Sequence, residues 1–149
     1  MKASEQAAGS NGVTMPIDMN NWLINGVAGD RISVVDRGFT YGDGLFETIA
    51  IRGGQMRFFA DQLDRLLDGA ERLDIPAPGR ELFNVEAIGL VTGCDHGTLK
   101  IILTRGSGHR GYAPPIPATP MRIIGLQPGV RPMQDKYTHG IVVRHCSTP

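Results

Sequence analysis

The sequence predicts an α+β fold, a two-layer small domain in which a mostly antiparallel sheet carries two helices on one face. The predicted strands are separated either by turns or by one pair of helices, which is typical of antiparallel neighbours. A hydrophobic content of 41% and a charged content of 20% are typical of a soluble globular protein. The length of 149 residues suits one domain with a core of ordinary size.

The predicted elements follow the order strands, two helices, strands. Residues 1–20 lack apolar periodicity, so we expect a flexible N-terminal tail there. Asn25-Gly26 is typical of a hairpin turn between short strands. Helices are predicted at 61–73 and 80–92. Strands are predicted at 22–24, 27–28, 32–35, 45–51, 56–59, 99–104, 121–126 and 141–145.

The helix predicted at 61–73 has the clearest periodicity. Its charged residues lie on the face opposite a stripe formed by Leu63, Leu66, Leu67, Ala70 and Leu73. Arg65 falls on the charged face, four residues after Asp61. The spacing therefore predicts a solvated Arg65 side chain that pairs with Asp61.

Two glycine-rich segments are candidates for a binding site. The first, at 36–48, reads Asp-Arg-Gly-Phe-Thr-Tyr-Gly-Asp-Gly-Leu-Phe-Glu-Thr, although turn formation alone would explain its glycines. The second, at 105–111, places Arg105 and Arg110 among glycines. Backbone N–H groups and guanidinium donors in such a loop suit a carboxylate or a phosphate. A solvated connecting loop explains this second segment equally well.

Charge and cysteine content exclude several classes of function. Fifteen acidic and fifteen basic residues balance, which argues against nucleic acid and anionic lipid as partners. Neither the two cysteines, Cys94 and Cys146, nor the four histidines show metal-ligand spacing, so we expect no metal. No apolar run approaches membrane-spanning length, and the N-terminus lacks the apolar core of a signal peptide. We therefore expect a cytoplasmic protein without a membrane partner.

Three motifs in this order resemble the N-terminal half of the fold-type IV pyridoxal-phosphate (PLP) enzymes, the class IV aminotransferase family. They are the segment 36–48, the residues 62–66 (Gln-Leu-Asp-Arg-Leu) with Arg72-Leu73, and the segment 104–115. The family holds branched-chain and D-amino-acid aminotransferases and aminodeoxychorismate lyase, and 104–115 is most similar to the lyase. The resemblance implies conversion of 4-amino-4-deoxychorismate to 4-aminobenzoate and pyruvate in folate biosynthesis, with an aminotransferase as the alternative.

The resemblance also implies roles for individual residues. Arg65 matches the arginine that grips the phosphate of PLP, which would place its helix face beneath a second domain. Arg110 and Tyr112 match positions that approach the substrate carboxylate. Phe46 and Glu47 match the strand that lines the cofactor side of the cleft, although Glu47 could equally be an ordinary outward-facing residue.

The lysine that PLP chemistry requires has no match in this sequence. Lys2, Lys100 and Lys136 lie elsewhere, and the family's Schiff-base lysine follows the strand predicted at 141–145. We therefore expect residues 21–149 to be an N-terminal small domain that lacks the C-terminal PLP-binding domain and is inactive by itself. The family implies a homodimer for the full-length enzyme. An alternative of another class is a complete, non-catalytic domain that binds a small anion or a partner protein.

Overall fold

A six-stranded antiparallel sheet forms the centre of the fold. The computed structural model describes residues 21–129, 138–144 and Cys146. The strands lie in the order β2-β1-β6-β5-β3-β4, and each neighbouring pair is antiparallel. Their bounds are β1 Trp22–Ile24, β2 Val27–Ala28, β3 Gly44–Arg52, β4 Gln55–Met56, β5 His96–Thr104 and β6 Met121–Pro128.

Two long helices cover one face of this sheet. Helix α2 spans Phe59–Arg72 and packs against β3, and α3 spans Arg80–Val91 and packs against β6. A short helix, α1 (Arg37–Tyr41), lies beside β5. The predicted α+β class is confirmed. None of the helices in the described residues combines the length and the apolar character needed to cross a membrane.

The hydrophobic core lies between the two long helices and alternate residues of the central strands. Side chains of successive strand residues point to opposite faces, so only every second residue of β3 and β5 contributes. The stripe predicted on α2 is its buried face at Leu63, Leu66 and Ala70, whereas Leu73 follows the helix and is 44% exposed. The main buried cluster comprises Ile49, Ile51, Leu63, Leu66, Phe83, Ala87, Val91, Leu99, Ile101, Ile124 and Leu126.

The opposite face of the sheet is covered by neither of the two long helices, and the short helix α1 lies at one end of it, where Gly38 and Phe39 line a pocket with Phe46. Phe46 of β3 lies on this open face and is 63% exposed. The ammonium group of Lys100, from β5, lies 4.8 Å from the centroid of the Phe46 ring. The two faces therefore differ, and the position of each candidate residue depends on the face to which it belongs.

Of the strands predicted before α2, the one at 32–35 is wrong, and the one at 56–59 is confirmed only at Met56, which belongs to β4. Residues 32–35 form no strand, because the chain turns there and the backbone N–H of Asp36 donates to the carbonyl of Ser33. The strand predicted at 56–59 ends at Met56, because Phe58 adopts a left-handed backbone conformation with φ 55°. Helix α2 consequently begins at Phe59, two residues before its predicted start.

The remaining differences lie at β5 and near the C-terminus. β5 begins at His96, three residues before the strand predicted at 99–104. Residues 141–144 belong to no strand, so the strand predicted at 141–145 is wrong over its described part. His145 and the predicted tail at 1–20 lie outside the described residues.

Candidate functional site

The glycine-rich segment 36–48 forms a capped helix followed by β3, rather than a simple turn. Asp36 caps α1 and is completely buried, and its carboxylate accepts hydrogen bonds from the Gly38 N–H (2.8 Å) and the Thr104 hydroxyl (2.9 Å). A Cβ at Gly38 would lie 2.3 Å from the Thr104 methyl carbon, so glycine allows α1 to approach β5. Gly42 ends the helix with φ 67°.

Asp43 joins two buried arginines at the end of the sheet. Its Oδ2 accepts from the Nε of Arg37 at 2.7 Å and from the Nε of Arg105 at 2.8 Å. The two Nη groups of Arg105 donate to the carbonyls of Leu73 and Asp74, just beyond α2. The expectation that Arg105 offers donors to an anion is therefore wrong, because its donors are used within the fold.

The two arginines determine the protonation of Asp43. Burial raises the pKa of this carboxyl group, whereas the hydrogen bonds and positive charges of Arg105 and Arg37 lower it. The arginines outweigh burial, so the pKa of Asp43 lies below its ordinary value. Asp43 is consequently ionised at neutral pH and acts as the shared counter-ion of both guanidinium groups.

Arg110 and Tyr112 lie on the loop between β5 and β6 and are both exposed, with Tyr112 at 87%. The ring centroids of Tyr112 and Tyr41 are 5.5 Å apart. The guanidinium of Arg37 donates to the carbonyls of Gly111 and Tyr112. Segment 36–48 therefore holds this loop, while the side chains of Arg110 and Tyr112 remain accessible.

Arg65 and Glu47 form a bidentate ion pair between α2 and β3. The Nε of Arg65 donates to Oε1 of Glu47 at 2.7 Å, and Nη2 donates to Oε2 at 2.5 Å. The side chain of Glu47 is only 6% exposed, whereas that of Arg65 is 74% exposed. The hydrogen bonds and charge of Glu47 raise the pKa of the Arg65 guanidinium. The predicted pairing of Arg65 with Asp61 is wrong, because a buried carboxylate on the neighbouring strand takes its place.

An open groove beside β3 contains this ion pair. Two edges of the Arg65 guanidinium differ, since Nε and Nη2 bind Glu47 and Nη1 has no hydrogen-bond partner among the described residues. The Nη1 group can therefore donate to an anion in the groove. The groove is lined by Leu45, Phe46, Glu47, Asp61, Asp64, Arg65, Leu66, Asp68, Gly69 and Arg72.

Phe46 and Glu47 border the groove from opposite faces of the sheet. Phe46 extends from the open face, where it contacts Lys100, and Glu47 lies under α2. Their side chains alternate across β3, yet both residues line the groove, and their match to the cofactor side of a cleft stays a prediction. The structure brings Glu47 to Arg65 and leaves Phe46 on the other face.

The Arg37–Asp43–Arg105 cluster was not apparent from the sequence, although one signal was present. Gly44 of β3 pairs with Thr104 of β5, which places the preceding Asp43 beside the following Arg105. This antiparallel register, had it been predicted, would have brought the acid and the base together. In the described part of the chain, no group of three or more His, Cys, Asp or Glu is placed to hold a metal ion.

Comparison with known proteins relates this chain to PLP enzymes. Residues 44–147 match the model of the class IV amino-transferases. The chain is 32% identical over 91 residues to the aminodeoxychorismate lyase of Vibrio harveyi, across 61% of this chain and 34% of that protein. The chain thus spans about a third of that relative's length.

Solved structures share the fold described above. The structure of 4-amino-4-deoxychorismate lyase from Pseudomonas aeruginosa matches this chain with 38% identity and a TM-score of 0.72. The match covers 80% of this chain and 44% of the P. aeruginosa chain. A hypothetical aminotransferase from Mycobacterium tuberculosis, in its PLP-bound form, matches with 25% identity and a TM-score of 0.54. This match covers 66% of this chain and 34% of the M. tuberculosis chain.

Proposed function

Because this chain belongs to the class IV amino-transferase family, we propose that it is the N-terminal part of a PLP-dependent 4-amino-4-deoxychorismate lyase. The full-length enzyme releases pyruvate from 4-amino-4-deoxychorismate and leaves the aromatic product 4-aminobenzoate, a step in folate biosynthesis. The observation that carries this proposal is the similarity to the lyase of P. aeruginosa, which extends over most of this chain.

Arg65 is the residue of this chain that holds the cofactor phosphate in the proposed enzyme. Its guanidinium is exposed in the groove, fixed by Glu47 on one edge and open at Nη1. A phosphate oxygen suits this planar, permanently charged donor. PLP, when bound, supplies an electron sink for the substrate. Asp61, Asp64 and Asp68 line the same groove and repel a phosphate, whereas Arg72 adds a second positive charge there.

Arg110 and Tyr112 orient a substrate carboxylate in this proposal. Both are exposed on a loop whose backbone is fixed from beneath by Arg37. The Arg110 guanidinium can bind a carboxylate through two parallel hydrogen bonds, which fixes direction as well as position. Phe46 offers an apolar surface on the open face beside the groove. The role of this chain is thus to bind and orient both the cofactor and the substrate.

The product formed by the full-length protein tests the reaction. We expect the PLP-loaded gene product that contains this chain to release 4-aminobenzoate and pyruvate in equal amounts from 4-amino-4-deoxychorismate. Chromatography with fluorescence detection measures the first product, and a lactate dehydrogenase assay measures the second. Amino transfer to 2-oxoglutarate without 4-aminobenzoate would contradict the lyase and identify an aminotransferase.

The second candidate is an amino-acid aminotransferase of the same family. The similarity to the M. tuberculosis protein and the family's own name support it. Arg65 would keep its role, and the loop carrying Arg110 and Tyr112 would recognise the carboxylate of an amino acid. A non-catalytic anion-binding domain is the third candidate. It requires that the full-length protein neither form 4-aminobenzoate nor transfer an amino group.

We also propose that the full-length protein is a cytoplasmic homodimer. The large apolar side chains of Phe39 and Phe46 are 69% and 63% exposed, which leaves apolar surface for a partner subunit to cover. Light scattering coupled to size exclusion should give twice the mass of one subunit. A mass equal to one subunit at micromolar concentration would contradict the homodimer.

A further inference from the structure

We propose that Arg37 is a positioning residue for substrate binding, which fixes the main chain at 111–113 and thereby holds Arg110 and Tyr112 in place. This inference rests on the substrate-binding role of that loop in the proposed function. Arg37 itself is 3% exposed, so it acts through the loop and does not touch the substrate.

The guanidinium of Arg37 captures three consecutive carbonyls. Nη1 donates to the oxygens of Gly111 at 3.0 Å and Ala113 at 3.4 Å, and Nη2 donates to the oxygen of Tyr112 at 2.9 Å. The Nε group donates to Asp43, which fixes the guanidinium from the opposite side. These three carbonyls thus have donors within the fold, and the Tyr112 side chain is 87% exposed.

Tyr41 of α1 completes the attachment of the loop. Its hydroxyl oxygen accepts a hydrogen bond from the backbone N–H of Gly111 at 3.1 Å. The Arg37 guanidinium lies 4.9 Å from the centroid of the Tyr41 ring, and that ring in turn contacts Tyr112. The backbone N–H of Gly111 and the carbonyls of 111–113 are therefore held by side chains of α1.

A loop of glycines, prolines and exposed side chains would otherwise be costly to order when a ligand binds. Glycine loses more backbone freedom than other residues on ordering. Binding residues that are already held in place avoid this loss of entropy. Arg37 suits the task because five donors in a rigid plane can serve several acceptors, whereas lysine cannot reproduce that geometry.

Limited proteolysis of the full-length protein tests the contact between Arg37 and the loop. Arg110 is exposed, so trypsin cleaves after it whenever the loop opens. We expect Arg37→Lys to raise the rate of this cleavage by about tenfold and Tyr41→Phe by about threefold, in line with the hydrogen bonds removed. Arg31→Lys is the matched control, because the Arg31 side chain is 93% exposed and should leave cleavage unchanged.

Steady-state kinetics on the same variants tests the link to substrate binding. For whichever substrate the wild-type protein converts, KM should rise by about tenfold in Arg37→Lys and about threefold in Tyr41→Phe, with kcat within about twofold. A purely structural role would lower the amount of active protein and hence kcat, with KM unchanged. Tyr41→Phe keeps the test informative if Arg37→Lys folds poorly.

The two readouts separate failure of this inference from failure of the proposed function. Unchanged cleavage after Arg110 overturns the positioning role of Arg37, whatever reaction the protein catalyses. Increased cleavage with unchanged KM also overturns it. If the wild-type protein forms no 4-aminobenzoate, only the proposed lyase reaction is overturned. A parallel rise in the cleavage rate and in KM for an aminotransferase substrate would then still support the positioning role of Arg37.

Discussion

Asp43 stabilises two guanidinium groups that the fold buries. The side chains of Arg37 and Arg105 are 4% and 10% exposed, and both donate to the same oxygen of Asp43. Removing one partner of a buried ion pair leaves an uncompensated charge, which costs more than the pair contributes. The stability of this end of the sheet therefore depends on one carboxylate.

We expect Asp43→Asn to lower the free energy of unfolding by about 3 kcal/mol, because both arginines lose their counter-ion. Urea unfolding followed by circular dichroism measures the change. Asp30→Asn is the control, since Asp30 pairs with Arg31 at the surface. This substitution should lower the free energy of unfolding by less than about 1 kcal/mol. Equal losses in the two variants would contradict the role given to Asp43.

The same carboxyl group predicts a dependence of stability on pH. Its folded pKa lies below the unfolded value of about 3.9. Its contribution is complete above about pH 4 and is lost as the pH falls through the folded pKa, because protons then bind the unfolded chain first. The difference in unfolding free energy between wild type and Asp43→Asn should therefore shrink below pH 4. A difference that grows on acidification would contradict this assignment.

Helix α1 depends on close contact with β5. It is only five residues long, so its own hydrogen bonds cannot make it stable in isolation. Asp36 caps its first turn and also binds Thr104, and Gly38 lets the backbone approach the Thr104 side chain. The element is therefore a product of tertiary contact more than of local sequence.

We expect Gly38→Ala to destabilise the protein by about 1–3 kcal/mol, because the new methyl group would overlap the side chain of Thr104. The matched control is Gly89→Ala in α3, where an added Cβ meets no atom within 4 Å. The free energy of unfolding should rise by up to about 1 kcal/mol in this control, because alanine favours the helix more than glycine does. Denaturant unfolding compares the variants, and a stabilised Gly38→Ala would contradict the close packing of α1.

Sequence periodicity predicted the elements that have one apolar face. Helix α2 shows a clear stripe, so its existence and its buried side followed from spacing alone. Helix α1 was not predicted, because the three glycines in 36–48 favour a turn and its five residues are too few to show a stripe. The apolar run at 32–35 indicated a strand, but hydrogen bonding within the turn replaces a pairing partner.

The candidate site was predictable to the extent that it rests on family resemblance. Class IV membership, predicted from three motifs, is confirmed. The partner of Arg65 was not predictable, because helical spacing points to Asp61 whereas Glu47 comes from a different element. Arg105 was misassigned for the same reason, since Asp43, its partner, lies 62 residues away in the chain. The assignments of Arg65, Arg110 and Tyr112 to ligands remain predictions.

At the scale of the whole molecule, both the groove of Arg65 and the open face of the sheet are exposed. Arg65 is exposed in its groove on one side of the sheet, and Lys100 contacts Phe46 on the other. The chain spans about a third of its curated lyase relative. Under the proposed function, we expect residues outside this chain to supply further contacts to the cofactor.

The isolated 149-residue chain should hold no covalently bound PLP. Lys100, the lysine within the described residues, lies on the opposite face of the sheet from Arg65. The chain is incubated with PLP, reduced with borohydride and dialysed, and mass spectrometry then counts the PLP adducts. The folded chain should carry no more adducts than the denatured chain treated in the same way. One adduct per chain at Lys100, above that background, would contradict the expectation.

The phosphate contact of Arg65 is tested most directly by titrating the full-length apoprotein with PLP and with pyridoxal, which lacks the phosphate. We expect Arg65→Gln to weaken PLP binding by about ten- to hundredfold and to leave pyridoxal binding unchanged, because a charged hydrogen bond to phosphate is lost. Arg52→Gln, an exposed arginine outside the groove, should change neither. Equal PLP affinity in Arg65→Gln and wild type, or an equal loss for both ligands, would contradict the role of Arg65.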